Sequence, residues 1–229
     1  MSVPNTFRDY RRSRVGVLAD YYRVPIVTIL VLRIATRYKK LCKYLSCACH
    51  FNPHIIRTML VYTRYLQAEE IYKKIFLDID IKTFQVLDFG ALVSDYGIYF
   101  ARQGAQVTTY DYPKYTDFLK LRFGYEGLRV TTKEVPTDYS SLFKGKDLVI
   151  FSEVLEHVDN PLEILQVCVD KKVKYIFTSC FPYGNDVYYN YNGHKKTAQL
   201  QQSACKDLLV YNYTSIPTLR ESEVLWKRK

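Results

Sequence analysis

The sequence predicts an α/β protein: a mostly parallel seven-stranded sheet with helices on both faces, an antiparallel terminal hairpin and a basic helical segment in front. Three observations carry this. From about residue 84, short apolar runs of strand length alternate with amphipathic stretches of helix length, the pattern of a parallel sheet. The last two strand-like runs, LLVYNY (208–213) and EVLWKR (223–228), have only a loop between them and pair as an edge hairpin. The excess positive charge of the chain, +10 in all, lies in the first third: residues 1–75 hold 14 Lys+Arg against 4 Asp+Glu, and residues 76–229 hold 19 of each.

Taken in order, residues 5–22 are polar and Arg-rich. A helix is expected over about 24–44, with Pro25 in its first turn, where a missing N–H costs nothing. Its apolar part, Val24 to Ala35, is 12 residues long and contains Arg33, too short for the roughly 20 apolar residues a bilayer requires. Asn52-Pro53 marks a break, and a second helix follows over about 55–75, with Ile55, Ile56, Met59, Leu60, Tyr62 and Tyr65 on one side. Then come strands at 84–89 and 106–111, a helix at 96–103 between them and one at 113–123, a short strand at 128–130, a strand at 147–152, a helix at 161–169, a strand at 173–179 and a helix at 196–207. The division is thus a basic helical region, 1–75, and a sheet domain, 76–229.

The N-terminus has no apolar signal-peptide core, so the six cysteines are expected to be reduced thiols in a cytoplasmic setting. Cys42, Cys47, Cys49, His50 and His54 fall close together, but without the paired C-x2-C spacing of common structural zinc sites; coincidence at a helix end is the expectation, and no metal is assigned.

In open α/β sheets ligands sit at the carboxyl ends of the strands. VLDFG ends the first strand with Asp88 and Gly90, and Asp111 ends the second, where a carboxylate can accept both hydroxyls of a ribose. Asp88-Phe-Gly90, Gly97 and FARQGAQVTTYD together resemble motif I of the class I S-adenosylmethionine-dependent methyltransferases through to the acidic end of their second strand. The run DLVIFSEVLEHVDNP (147–161) resembles motif IV, in the EVLEHV form of small-molecule methyltransferases. The resemblance covers about residues 84–229 and implies a Rossmann-like sheet, S-adenosyl-L-methionine as cofactor and methyl transfer to a small-molecule, lipid-linked or saccharide-linked acceptor.

By position, Asp88, Phe89, Gly90 and Ala91 are expected at the methionine end of the cofactor. Asp111 is expected at the ribose, Tyr112 against the adenine and Asp138 near the adenine amine. Phe151, Ser152 and Glu153 are expected beside the sulfonium. His157 and His194 are candidates for the base that takes a proton from a hydroxyl acceptor. Glu153 and Glu156 can alternatively cap the helix that follows, and Tyr183, Tyr188 and Tyr189 form either a substrate wall or ordinary loop packing.

One departure matters. Leu92 and Ser94 stand where the family pattern D-x-G-x-G-x-G has its second and third glycines. Either the loop takes another route, or the cofactor binds weakly, or the domain has become a non-catalytic binding module that acts through its basic N-terminal region. Residues 1–75 are read as a lid over the site or as a contact with an anionic membrane surface through Arg33, Arg37, Lys39, Lys40 and Lys43. Nucleic acid is not expected as a partner, because no recognised binding motif accompanies the charge.

Overall fold

The computed structural model describes residues 17–18, 63–76, 80–136, 138–182, 194–218 and 222–229. The expected helix over 24–44, the Cys42–His54 cluster, the apolar positions of the second helix before Thr63 and the tyrosines of 183–193 lie outside them.

Helix α1 (Thr63–Ile75) is set by Ala68, Ile71 and Ile75, which fall on one face and are buried. Glu69–Lys73 and Glu70–Lys74 pairs line its outer side, and Lys73 and Lys74 sit in the last turn, where cations suit the helix dipole. The sheet domain then runs β1 (Gln85–Phe89), α2 (Asp95–Arg102), β2 (Gln106–Asp111), α3 (Pro113–Tyr125), β3 (Thr131–Glu134) and β4 (Leu148–Ser152). It continues through a 3-10 turn (Leu155–His157), α4 (Pro161–Asp170), β5 (Tyr175–Ser179), α5 (Lys196–Leu200), α6 (Gln202–Asn212), β6 (Tyr213–Pro217) and β7 (Glu223–Arg228).

The seven strands lie in the order β3-β2-β1-β4-β5-β7-β6. All neighbours pair parallel except β7, which is antiparallel to both β5 and β6. β4 and β5 are buried along their whole length, as central strands covered on both faces must be. Alternate side chains divide the core in two. Leu87, Phe89, Val149 and Phe151 face α4 and α6, whereas Val86, Leu148 and Ile150 face α1 and α2 with Ile71, Tyr96 and Phe100. The chain order reverses between β1 and β4, and it is at the carboxyl ends of such strands that open α/β sheets hold their ligand crevice.

Two elements differ from the sequence reading. The third strand is Thr131–Glu134, not 128–130: the N–H of Leu128 closes the end of α3 on the Phe123 carbonyl, and Leu128 and Val130 pack with Leu119 and Phe123. Pairing with β2 starts only at Thr108↔Thr131. The run 208–213 is also not a strand. Cys205 and Leu209, one helical turn apart, are both buried, so α6 continues to Asn212 and the strand begins at Tyr213. The hairpin survives with β6 shifted toward the C-terminus. Among the described residues, no helix is long and apolar enough to cross a membrane.

Candidate functional site

The crevice between β1 and β4 is walled by the loops that follow these strands. After β1 the chain turns on left-handed backbone at Gly90 (φ 66°), Leu92 (φ 47°) and Ser94 (φ 51°). The loop therefore keeps the conformation that glycine favours at the two positions where glycine is absent, although an ordinary side chain there costs about 1–2 kcal/mol. It is tied down from both sides. The N–H groups of Gly90 and Ala91 bond the Tyr110 carbonyl of β2, and the Ser94 hydroxyl donates to Asp88 Oδ2 at 2.7 Å. The N–H of Gly97 reaches the same oxygen at 3.3 Å. A Cβ on Gly97 would stand 2.2 Å from Ser94 Oγ, so Gly97 and Ser94 fit one another. Burial pushes the Asp88 carboxyl up to about 7, against the pull of Ser94, Gly97 and Arg64. Asp88 thus braces the loop from below. Phe89 points into the core against Tyr139, Phe143 and Phe151, and Ala91 packs with Ile98, Leu119 and Phe123, so at 89 and 91 the backbone is what faces the crevice.

At the end of β2, Asp111 is 4% exposed. Its Oδ2 accepts the N–H of Leu92 and its Oδ1 accepts the N–H of Tyr112 at 2.7 Å. Burial raises this carboxyl, and the two N–H groups work against that. The Tyr112 ring beside it is exposed. Asp138 is exposed and turned onto Ser140, accepting from its N–H and its hydroxyl at 2.7 Å each; these bonds hold the carboxyl below the usual range.

At the end of β4, Phe151 is a core residue, and the Ser152 hydroxyl donates to Tyr96 Oη at 3.4 Å. Tyr96 in turn donates to Gln67 Oε1 at 2.7 Å, and Gln67 Nε2 donates to Glu223 Oε1 at 2.5 Å. This buried relay joins α1, α2, β4 and β7. Glu153 follows in a left-handed conformation (φ 54°) and pairs with Arg64 of α1 at 2.8 Å. Burial works against the Arg64 charge, but Glu153, Tyr96, Asp95 and Asp88 outweigh it and hold the guanidinium above its ordinary value. Arg64, Tyr96 and Gln67 carry no motif, and only the packing of α1 onto α2 brings them to the crevice.

The 3-10 turn places Val154 against the first loop: its Cγ2 lies 2.6 Å from where a Cβ on Gly90 would be. The same turn brings His157 to His194, edge to face with ring centroids 4.8 Å apart. Glu156, which precedes His157 in the turn, has a wholly buried side chain. One potential ligand atom from each of Glu156, His157 and His194 lies within 4.8 Å of the others. The N–H of Lys195 bonds the Glu156 carbonyl at 2.8 Å, and Lys195 pairs with Asp159 at 3.2 Å, which ties the segment bearing His194 to the turn. Neither Glu153 nor Glu156 caps the next helix; Asn160 does, accepting from the Glu163 N–H. Glu156 was visible in the sequence beside His157, but only the return of the chain at His194 makes the three a group.

No protein-family model matches the sequence, and no curated protein matches it. Solved structures do match in shape. The N-terminal domain of EvdMO1 with SAH bound is 14% identical, with a TM-score of 0.50 over 72% of this chain and 81% of that domain. The mitomycin 7-O-methyltransferase MmcR is 12% identical, with a TM-score of 0.55 over 77% of this chain and 57% of MmcR. The magnesium protoporphyrin IX methyltransferase ChlM from Synechocystis PCC 6803, with bound SAH, is 14% identical, with a TM-score of 0.53 over 88% of this chain and 99% of that one. With its 3-2-1-4-5-7-6 sheet and its crevice at the β1–β4 switch point, the chain has the fold of the class I S-adenosylmethionine-dependent methyltransferases.

Proposed function

We propose that the protein transfers a methyl group from S-adenosyl-L-methionine to a small-molecule, lipid-linked or saccharide-linked acceptor. The observation that carries this is the loop after β1. It turns left-handed at Gly90, Leu92 and Ser94, beside an acidic residue at the end of β2, at the reversal of a sheet whose structural neighbours include domains with SAH bound.

The residues present fit the cofactor. The exposed Tyr112 ring offers a face to the adenine. Each Asp111 oxygen accepts one N–H and keeps a lone pair for a ribose hydroxyl. The Gly90-Ala91 backbone approaches the methionine end, with Ser152 and Glu153 across from it. When bound, the cofactor supplies an electrophilic methyl carbon; the protein aligns the acceptor and favours loss of its proton. His157 and His194 stand on the acceptor side of that arrangement.

One observation favours a second reading, a non-catalytic methyltransferase-like module. Asp111 is almost wholly covered, and the Leu92 N–H lies across the oxygen that would meet the ribose. Calorimetric titration with S-adenosylhomocysteine separates the two. The first reading expects heat with a single site and its loss in Asp111→Ala. No heat from folded wild-type protein sinks the first reading, and unchanged affinity in Asp111→Ala sinks the role of Asp111.

A further inference from the structure

We infer that Glu156, His157 and His194 form a site for a divalent transition-metal cation on the acceptor side of the crevice. The role given below to this cation rests on the methyl-transfer reading; the site itself does not.

The donor set is two imidazoles and one carboxylate. That combination suits zinc, manganese, cobalt or ferrous iron, and three protein ligands leave a position open for a further oxygen. The three groups are not chance surface neighbours. The Glu156 side chain is wholly buried. His157 follows it in the same 3-10 turn, and His194 arrives from the far end of the segment that follows β5. The Lys195–Glu156 backbone bond and the Lys195–Asp159 pair hold that arrival in register. Their ligand atoms lie within 4.8 Å of one another. Donors about 2.0–2.2 Å from a cation stand roughly 3 Å apart, so binding draws the set inward by about an ångström or two. His157 lies on the exposed side of the turn.

The place gives the cation its use. Val154 of the same turn touches Gly90, so the site borders the end of the crevice where the methyl group is expected. Glu153 is engaged with Arg64. A hydroxyl that fills the open position is acidified by the cation and loses its proton to water. Its oxygen then forms the bond to the methyl carbon while the carbon–sulfur bond breaks and its electron pair returns to sulfur. The acceptor class is therefore an oxygen nucleophile, an alcohol or a phenol, and the histidines act as ligands, not as bases.

The test is titration of the full chain, free of any polyhistidine tag and stripped with chelator, with Mn2+ and Zn2+ by calorimetry and with Co2+ by visible absorption. One equivalent of metal is expected, with Co2+ bands in the visible. His157→Ala and His194→Ala should each weaken binding by more than the roughly 10–100-fold that loss of an outer-shell partner costs. Glu156→Gln should do the same, and its circular dichroism reports whether the loss is one of folding. His157→Ala changes an exposed residue and keeps the test open if Glu156→Gln unfolds. No metal uptake by folded wild-type protein overturns the site, as does uptake that both histidine variants leave unchanged. S-adenosylhomocysteine titration of the same preparation separates the two failures. Metal uptake without it upholds the site and removes methyl transfer, whereas its binding without metal uptake removes the site and leaves methyl transfer standing.

Discussion

The loops after β1 and after β4 leave neighbouring strands and wall one crevice, but they are built differently. In the first, side chains serve the backbone. Asp88, Ser94 and Asp111 all spend their oxygens holding N–H groups or one another, and the loop presents main chain to the crevice. In the second, the backbone serves side chains. The left-handed backbone after β4 delivers Glu153 to Arg64, and the 3-10 turn that follows sets Glu156 and His157 toward His194. A surface built from main chain suits a ligand that never changes, whereas a surface built from side chains suits chemistry and specificity. The two meet where Val154 packs on Gly90.

That contact is the place to break the pair apart. Gly90 and Gly127 share the same left-handed φ of 66°, but a Cβ on Gly127 meets nothing within 4 Å, while one on Gly90 would stand 2.6 Å from Val154. Gly127→Ala should cost only backbone strain, about 1–2 kcal/mol. Gly90→Ala adds overpacking of about 1–3 kcal/mol, for a total of roughly 2–5 kcal/mol. Urea unfolding of both variants measures the difference. Equal costs would mean that the loops do not bear on each other.

The next effect, smaller, belongs to the first loop alone. Asp88 is pushed up to about 7 in the folded state, from an ordinary carboxylate value near 3.8. Between these values the folded protein holds a proton that the unfolded chain has released. Its contribution is complete below about pH 4 and is lost as pH rises through about 7. Unfolding free energies of wild type and Asp88→Asn, measured from pH 4 to 8, should therefore diverge by roughly 1–4 kcal/mol, with the variant gaining on wild type as pH rises. Asn keeps an oxygen for the Ser94 and Gly97 donors. Parallel curves would mean that Asp88 is ionised in the fold and that the loop rests on a charge.

How much of this was legible in the sequence differs in the same way between the loops. Asp88, Gly90 and Asp111 are readable because backbone turns and strand ends demand particular residue types at fixed spacing. The departure at Leu92 and Ser94 was equally readable, but not its outcome: whether a leucine adopts the left-handed region depends on the Asp111 oxygen and on strand β2 holding the loop. The second loop gave up less. SEVLEHV fixes a turn after β4, but the partners of its acids, Arg64 and His194, lie 89 residues before Glu153 and 38 residues after Glu156, and no local rule links them. The same limit explains the missed boundary of α6. The run 208–213 has strand-forming residues, and only the surface of α4 against Cys205 and Leu209 decides for helix.

The smallest effect sharpens the comparison most, because it asks what Glu153 costs. Its carboxylate is half exposed and its pair with Arg64 lies at the rim, so the interaction contributes less than about 1 kcal/mol. Its backbone is left-handed, which asparagine tolerates better than glutamate. In Glu153→Asn the lost pair and the relieved backbone oppose each other, and the unfolding free energy should move by less than about 1 kcal/mol in either direction. A main-chain wall such as the first loop cannot lose a side-chain contact so cheaply. A loss above about 2 kcal/mol would mean that Arg64 holds α1 onto the sheet through Glu153, and that the second loop is also a structural brace. A near-zero change would leave the second loop as the part of the crevice whose side chains are free to be set by the acceptor.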